Sequence, residues 1–318
     1  MENATVLNWG LLGYGDIARE KIQPALESFS GARIFGIASR SKDIESLDVP
    51  FLTTSYEALL ENPNIDVVYI SLPNTLHGEW VKKSLKAGKH VLCEKPMALS
   101  RKDALDIQEL ANTVNKRVLE GFMYRYTEKT KTLFECIQSG EIGEIVSARS
   151  NFFSLRERAR GIRVDKKLGG GSLLDLGSYP INLFRMLKPG TPSIIQAVGK
   201  SYNSVDLYLS GNLYYEDGTL FSFSCGWIND MREMDTVIIG TKGRIRVTNM
   251  FNGDEGDIEI FTAKTHRSIH ILPEDPFERE VEIFTDWILR DVVPEFSDLG
   301  INDTAHILEQ LENEMILV

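Results

Sequence analysis

Through the first third of the chain, short apolar β-branched runs alternate with stretches whose apolar residues recur at helical spacing. Residues 5–12, 33–39, 67–71, 90–94 and 117–121 read as strands. Residues 55–60, 75–87 and 100–115 read as helices between them, as does 16–29, in which Pro24 is a candidate kink. This alternation predicts an α/β half: a parallel sheet with helices on both faces. After Tyr124 the rhythm changes to one helix at 128–139 and then mostly alternating strands, including 193–200, 207–215, 220–227 and 235–240. That run predicts an α+β half built on a mostly antiparallel sheet. A helix at 172–187 would cover one face, and helices at 277–290 and 303–315 would close the chain. The boundary falls near Gly121, giving domains 1–121 and 122–318, and no internal repeat or low-complexity segment is present.

With 318 residues, 42% of them hydrophobic and 25% charged, the chain is long enough for two cores. The net charge of −11 argues against a nucleic-acid surface, and no run of Lys or Arg departs from that average, so an anionic ligand would need local groups to hold it. No apolar run is long enough to span a bilayer, and the start of the chain reads as strand and glycine turn rather than as a targeting leader. Cys93, Cys136 and Cys225 are scattered, without metal spacing, which fits a reducing cytoplasm.

The first strand runs into Gly13, Tyr14, Gly15, Asp16, Ile17 and Ala18, a GxGxxA turn in which Gly13 permits the tight bend, Gly15 lets backbone approach a pyrophosphate and Ala18 allows close helix packing. The second strand ends in Ser39, Arg40, Ser41 and Lys42 instead of the acidic residue that would bind a ribose 2′-hydroxyl. A cation with hydroxyls suits a 2′-phosphate, so NADP is favoured over NAD. Leu72, Pro73 and Asn74 follow the fourth strand, and Glu94, Lys95 and Pro96 follow the fifth, at the crevice edge where such sheets bind ligands. His77 reads first as a surface helix residue and second as a cofactor contact.

In the second half, GGGSLLDLGSYPIN at 169–182 sets Asp175 and Tyr179 four positions apart, on one face of a helix. A free tyrosine, with a pKa of about 10, is a sluggish acid-base group near neutrality, and a nearby cation favours its phenolate. Lys95 is the candidate cation and Asp175 the candidate orienting group. Arg163 and Asp165 are equally explained as pocket residues or as a surface salt bridge. Trp227, Phe152 and Phe153 lie in strand patterns and read as core or interface residues.

Together with SLPNTLH at 71–77, AGKHVLCEKPMALS at 87–100 and GFMYRY at 121–126, these motifs resemble the glucose-fructose oxidoreductase, inositol dehydrogenase and rhizopine-catabolism family along almost the whole chain. The resemblance implies an N-terminal Rossmann domain carrying a nicotinamide cofactor, followed by a C-terminal domain whose open-faced, mostly antiparallel sheet builds the sugar pocket and the oligomer interface. It also assigns Lys95, Asp175 and Tyr179 to the active site. Many members have histidine and aspartate where this chain has Tyr179 and Asn182, so it resembles more closely the tyrosine branch of glucose-fructose oxidoreductase, dihydrodiol dehydrogenase and NADP-linked ketosugar reductases. The expected function is therefore NADP-dependent hydride transfer at a carbonyl or secondary alcohol of a sugar, deoxysugar or polyol. A nicotinamide-dependent glycosidase and a non-catalytic nucleotide or sugar sensor are the alternatives. An uncovered sheet face would expose an apolar patch, so a homodimer or homotetramer is expected.

Overall fold

The computed structural model describes residues 6–40, 44–230, 232–296 and 301–318. Ser41 and Lys42, named above for the 2′-phosphate, lie outside them.

The chain divides into two compact units. The first comprises residues 1–123 and 277–297. Its sheet has six parallel strands in the order β3-β2-β1-β4-β5-β6. These are β1 (Leu7–Leu12), β2 (Ala32–Ala38), β3 (Phe51–Thr53), β4 (Val67–Ile70), β5 (His90–Glu94) and β6 (Val118–Gly121). Each of β1, β4 and β5 is buried almost throughout, as a sheet covered on both faces requires. The crossovers hold α2 (Tyr56–Glu61), α3 (Asn74–Lys86) and α4 (Arg101–Thr113). Ser55 and Ser100 cap α2 and α4 by accepting the Ala58 and Asp103 amide hydrogens. Strand order reverses between β1 and β4, so the loops after these two strands flank the switch point.

The helix expected at 16–29 is present with a break: a π-helical turn, Ala18–Ile22, precedes α1 (Gln23–Ser28), and Pro24 lies at the start of α1. The three-residue β3 escaped the sequence reading because it is too short to show a period. Helix α7 (Pro276–Arg290) belongs to this first unit, where Phe284 meets Trp9 edge-on at 6.0 Å. A single cut near Gly121 misses that return, since an amphipathic stripe does not say which sheet it covers.

The second unit comprises residues 124–276 and 298–318. Its nine strands run in the order β14-β13-β12-β11-β7-β10-β9-β8-β15. They are β7 (Ile145–Leu155), β8 (Ile194–Tyr202), β9 (Val205–Tyr214), β10 (Leu220–Asn229), β11 (Thr236–Gly240), β12 (Gly243–Val247), β13 (Gly256–Thr262), β14 (His266–Ile271) and β15 (Ile316–Leu317). Most pairs are antiparallel, as expected, but β7 with β10 and β8 with β15 are parallel. Helix α6 (Ser178–Leu187) and α8 (Ile301–Glu314) pack on the sheet, and α5 (Glu128–Gln138) lies at the β13 end. Register sets the two faces: Phe221, Phe223, Cys225 and Trp227 turn inward and are buried, whereas Ile194, Val198, Tyr208, Tyr214 and Ile239 stand on the opposite, solvent-exposed face.

Candidate active site

In the first unit, Gly13 adopts φ +93°, and a Cβ there would come within 3.0 Å of the Ser71 carbonyl oxygen. Only glycine is comfortable there. Ser71 closes the approach by donating from Oγ to the Gly13 carbonyl at 3.2 Å, which ties the loop after β1 to the loop after β4. Gly15 is different: a Cβ there would meet nothing within 4 Å, so the backbone faces open space. An open approach to backbone at the head of a helix fits a dinucleotide pyrophosphate. Tyr14 donates to Gln23 Oε1, and Asp16 pairs with Arg19 at 2.8 Å, so these two side chains brace the turn. Ile17 caps the π-helical turn with helical backbone. At the end of β2, Ser39 is buried and Arg40 is exposed, its guanidinium 5.0 Å from the Tyr56 ring centre.

His77 is the clearest correction to the sequence reading. It is 1% exposed rather than on the surface, and its ring nitrogens lie 2.8 Å from the Pro96 carbonyl and 2.7 Å from that of Leu72. The imidazole thus clamps the Leu72, Pro73, Asn74 loop to the Glu94, Lys95, Pro96 loop. Burial holds His77 below the ordinary histidine range against the pull of the two carbonyls, and the Lys95 charge adds to the lowering. Asn74 begins α3 with Pro73 at its cap. Glu94 accepts from the Tyr69 hydroxyl at 2.8 Å, while Lys95 is half-buried at the end of β5.

In the second unit, Asp175 and Tyr179 share one continuous helical segment, though not one regular helix. Leu173–Gly177 form a π-helical turn that leads into α6. π turns are concentrated at functional sites. Gly177 permits this one to lie on β10, since a Cβ would come within 2.9 Å of Cys225 Sγ. Tyr179 is 7% exposed, in a nest of rings: Phe152 at 5.1 Å, Phe251 at 5.6 Å and Tyr124 at 5.9 Å between centres. Phe152 therefore borders the candidate acid-base group, whereas Trp227 is core. Arg163 pairs with Asp175, Nε to Oδ2 at 3.1 Å, and not with Asp165 as a local surface bridge would.

Asn182 lies one turn beyond Tyr179 and is fully buried. Its Oδ1 accepts from Tyr124 Oη at 2.7 Å and Arg125 Nε at 2.9 Å. Sequence reasoning missed Phe251, which comes from the turn after β12 and carries no motif. It also passed over the charge of RERARGIRVDKK at 156–167, where six basic residues stand against two acidic ones. Among the described residues there is no group of His, Cys, Asp and Glu able to hold a metal, and no helix is long and apolar enough to cross a membrane.

Residues 7–122 match the family model for the oxidoreductase family with an NAD-binding Rossmann fold, and residues 130–246 match the model for the GFO/IDH/MocA C-terminal domain. Among curated proteins, the chain is 33% identical over 287 residues to D-xylose 1-dehydrogenase (NADP(+)) 2 of Haloferax volcanii, covering 87% of each. It is 28% identical to the dTDP-3,4-didehydro-2,6-dideoxy-alpha-D-glucose 3-reductase of Actinomadura kijaniata, covering 90% of this chain and 89% of that one. A solved structure of a 3-ketoreductase from Actinomadura kijaniata, in complex with NADP and TDP-benzene, superimposes with a TM-score of 0.89 at 25% identity, over 99% of this chain and 100% of that one. A Rossmann sheet with a glycine turn at its switch point, a second unit on a mixed open sheet, and matches to both family models lead to one conclusion: the chain belongs to the GFO/IDH/MocA family of oxidoreductases.

Proposed function

We propose that the protein is an NADP-dependent oxidoreductase that moves hydride between nicotinamide C4 and a carbonyl or secondary alcohol of a sugar, deoxysugar or polyol. The reading rests on Tyr179, a buried phenol walled by three aromatic rings with a carboxylate one turn earlier. The names of the xylose dehydrogenase and the ketosugar reductase support the substrate class, and NADP in the 3-ketoreductase complex supports the cofactor.

In this reading the first unit holds the cofactor and the second unit the sugar. The Gly13 to Ile17 turn receives the pyrophosphate, and Ser39 and Arg40 receive the 2′-phosphate. The Leu72 to Asn74 and Glu94 to Lys95 loops, joined through His77, flank the nicotinamide side. The bound nicotinamide supplies or accepts the hydride. Tyr179 gives the proton to the nascent alkoxide in reduction and takes it back in oxidation. Lys95 provides the cation that makes the phenol a competent acid, and Asp175, fixed by Arg163, orients the substrate hydroxyls. The exposed apolar face of the second sheet supports assembly into a dimer or tetramer, which light scattering would measure.

The decisive experiment follows NADPH absorbance with a panel of ketosugars. Tyr179→Phe should lower kcat by about two to four orders of magnitude, the range for loss of a general acid, with NADPH affinity unchanged. Unaltered turnover would remove Tyr179 from the mechanism. Arg40→Ala should raise KM for NADPH and leave that for NADH alone.

A further inference from the structure

Two of the three rings that wall Tyr179 are held by the first turn of one helix, α5. Thr127 caps that helix by accepting the Thr130 amide hydrogen. Both threonine hydroxyls then donate to the Tyr124 carbonyl, at 2.8 Å from Thr127 and 2.6 Å from Thr130, which fixes the backbone that carries the Tyr124 ring. Lys129 lies between them and is 2% exposed. Its ammonium donates to the carbonyls of Asn249 and Asp254, the latter at 2.8 Å. Gly256 leaves room for it, since a Cβ there would come within 3.2 Å of Nζ.

Those two carbonyls stand at the ends of the turn between β12 and β13, and its middle carries Phe251, which is fully buried. The Phe251 ring meets Tyr124 edge-on at 5.1 Å, stacks on Phe152 at 5.7 Å and lies 5.6 Å from Tyr179. It therefore touches every other ring of the cluster. The turn is sewn at single points by the Met250 amide, which donates to the Met234 carbonyl at 2.8 Å, and by Asn249 Nδ2, which donates to the Glu255 carbonyl at 2.9 Å. Lys129 joins its two ends from outside. Burial lowers the ammonium to about 8 from the ordinary 10.5, against the pull of Asp254 and Glu274, so it is charged at neutral pH and its bonds to the carbonyls are charge-assisted.

We infer that Lys129 is a positioning residue of the reaction: it ties the 249–254 turn to the helix start that also holds Tyr124, sets the Phe251 ring against Tyr179, and so sets where the phenol hydroxyl stands. The inference rests on the assignment of Tyr179 as the acid-base group. Close-packed rings transmit a shift of one to the next, and proton transfer tolerates little displacement of its donor.

A double-mutant cycle on the full chain tests this, with NADPH oxidation followed on the fastest ketosugar of the panel. Lys129→Met keeps the methylenes and removes the donors; it should lower kcat about 10-fold, as for an acid held slightly out of line, with NADPH affinity unchanged. Phe251→Leu should lower kcat to a similar degree. Combining the two should add little, because the lysine acts through the ring. A lysine needed only for stability would instead lower the active fraction by the same factor in both backgrounds. Should Lys129→Met not fold, Asn249→Gly takes its place: it keeps the left-handed backbone at φ 51° and both carbonyls, and loses the side-chain bond to Glu255. It should show a smaller loss of kcat and the same non-additivity with Phe251→Leu. Unchanged kcat in the single variants, or losses that multiply in the double variant, would overturn the inference. Tyr179→Phe is run in the same assay. If it turns over like wild type, the acid-base assignment falls and takes the inference with it; a loss there beside an intact Lys129→Met overturns the inference alone.

Discussion

Asp206 on β9 holds the start of the acid-base helix: its Oδ2 accepts the Leu173 amide hydrogen at 2.7 Å, and the Ser172 hydroxyl at 2.5 Å reinforces the hold. The carboxylate is 1% exposed, and a Cβ on Gly171 would come within 2.3 Å of its Oδ1. It therefore sets where the turn carrying Asp175 begins. Asp206→Ala should destabilise the protein by about 2 kcal/mol, through loss of a cap and exposure of a buried donor. It should also lower kcat while NADPH affinity stays unchanged. Asp206→Asn, which keeps an acceptor, should recover much of both. Equal kcat in wild type and Asp206→Ala would show that the helix is positioned without it.

The two glycines of the N-terminal turn should fail in different ways. Gly13→Ala places a side chain at φ +93° against the Ser71 carbonyl, so it should cost about 1–2 kcal/mol of stability. Gly15→Ala adds a methyl group in open space and should leave the urea midpoint unchanged. Its effect should appear as weaker NADPH binding, because the methyl stands where phosphate approaches backbone. A Gly15→Ala protein that binds NADPH like wild type would place the pyrophosphate elsewhere.

The first half of the fold was readable because a covered parallel strand announces itself as an unbroken apolar run, as 67–71 and 90–94 do. The strands β12 to β14 were covered only by the general expectation of further alternating strands: Ile245, Val247, Ile258 and Ile260 are buried on one face while Arg244, Arg246 and Glu259 share the other, but these short strands carry no motif that marks where each begins. Motif spacing located Asp175 and Tyr179 but not the π turn between them, which depends on Gly177 meeting Cys225 across the sheet. His77 looked like a helix surface residue because helical periodicity cannot foresee two carbonyls arriving from separate loops. Phe251 and Asp206 are 72 and 27 residues from Tyr179 in the chain, and no local pattern links them to it.

Asn182 is expected to matter for stability more than for substrate choice. Its Oδ1 is the shared acceptor for Tyr124 and Arg125, and its Nδ2 reaches Thr304 Oγ1 at 3.4 Å. Asn182→Leu, similar in size, removes the acceptor from a buried hydroxyl and a buried guanidinium and should cost about 2–4 kcal/mol. Asn182→Asp restores an acceptor opposite the Arg125 charge and should cost less. Urea unfolding of the three proteins distinguishes this from a substrate-binding role, in which KM would move and the midpoint would not.

Acid should weaken the first unit at His90. Its Nδ1 accepts the Arg117 amide hydrogen at 3.0 Å, which requires the neutral ring. Burial, with the charges of Lys116 and Arg117, lowers its pKa to about 4 from the ordinary 6.5. Between those values the unfolded chain binds the proton and the folded chain does not, so stability rises with pH across the window. The contribution is complete above about pH 6.5 and is lost as pH falls toward 4. The shift corresponds to about 3 kcal/mol at most, and partial solvent exposure reduces the expected effect to about 1–2 kcal/mol. His90→Gln, which offers Arg117 an acceptor without a titrating group, should flatten the pH dependence of urea unfolding between about pH 4 and 6.5. Parallel curves for wild type and variant would mean that the acid sensitivity lies in other groups.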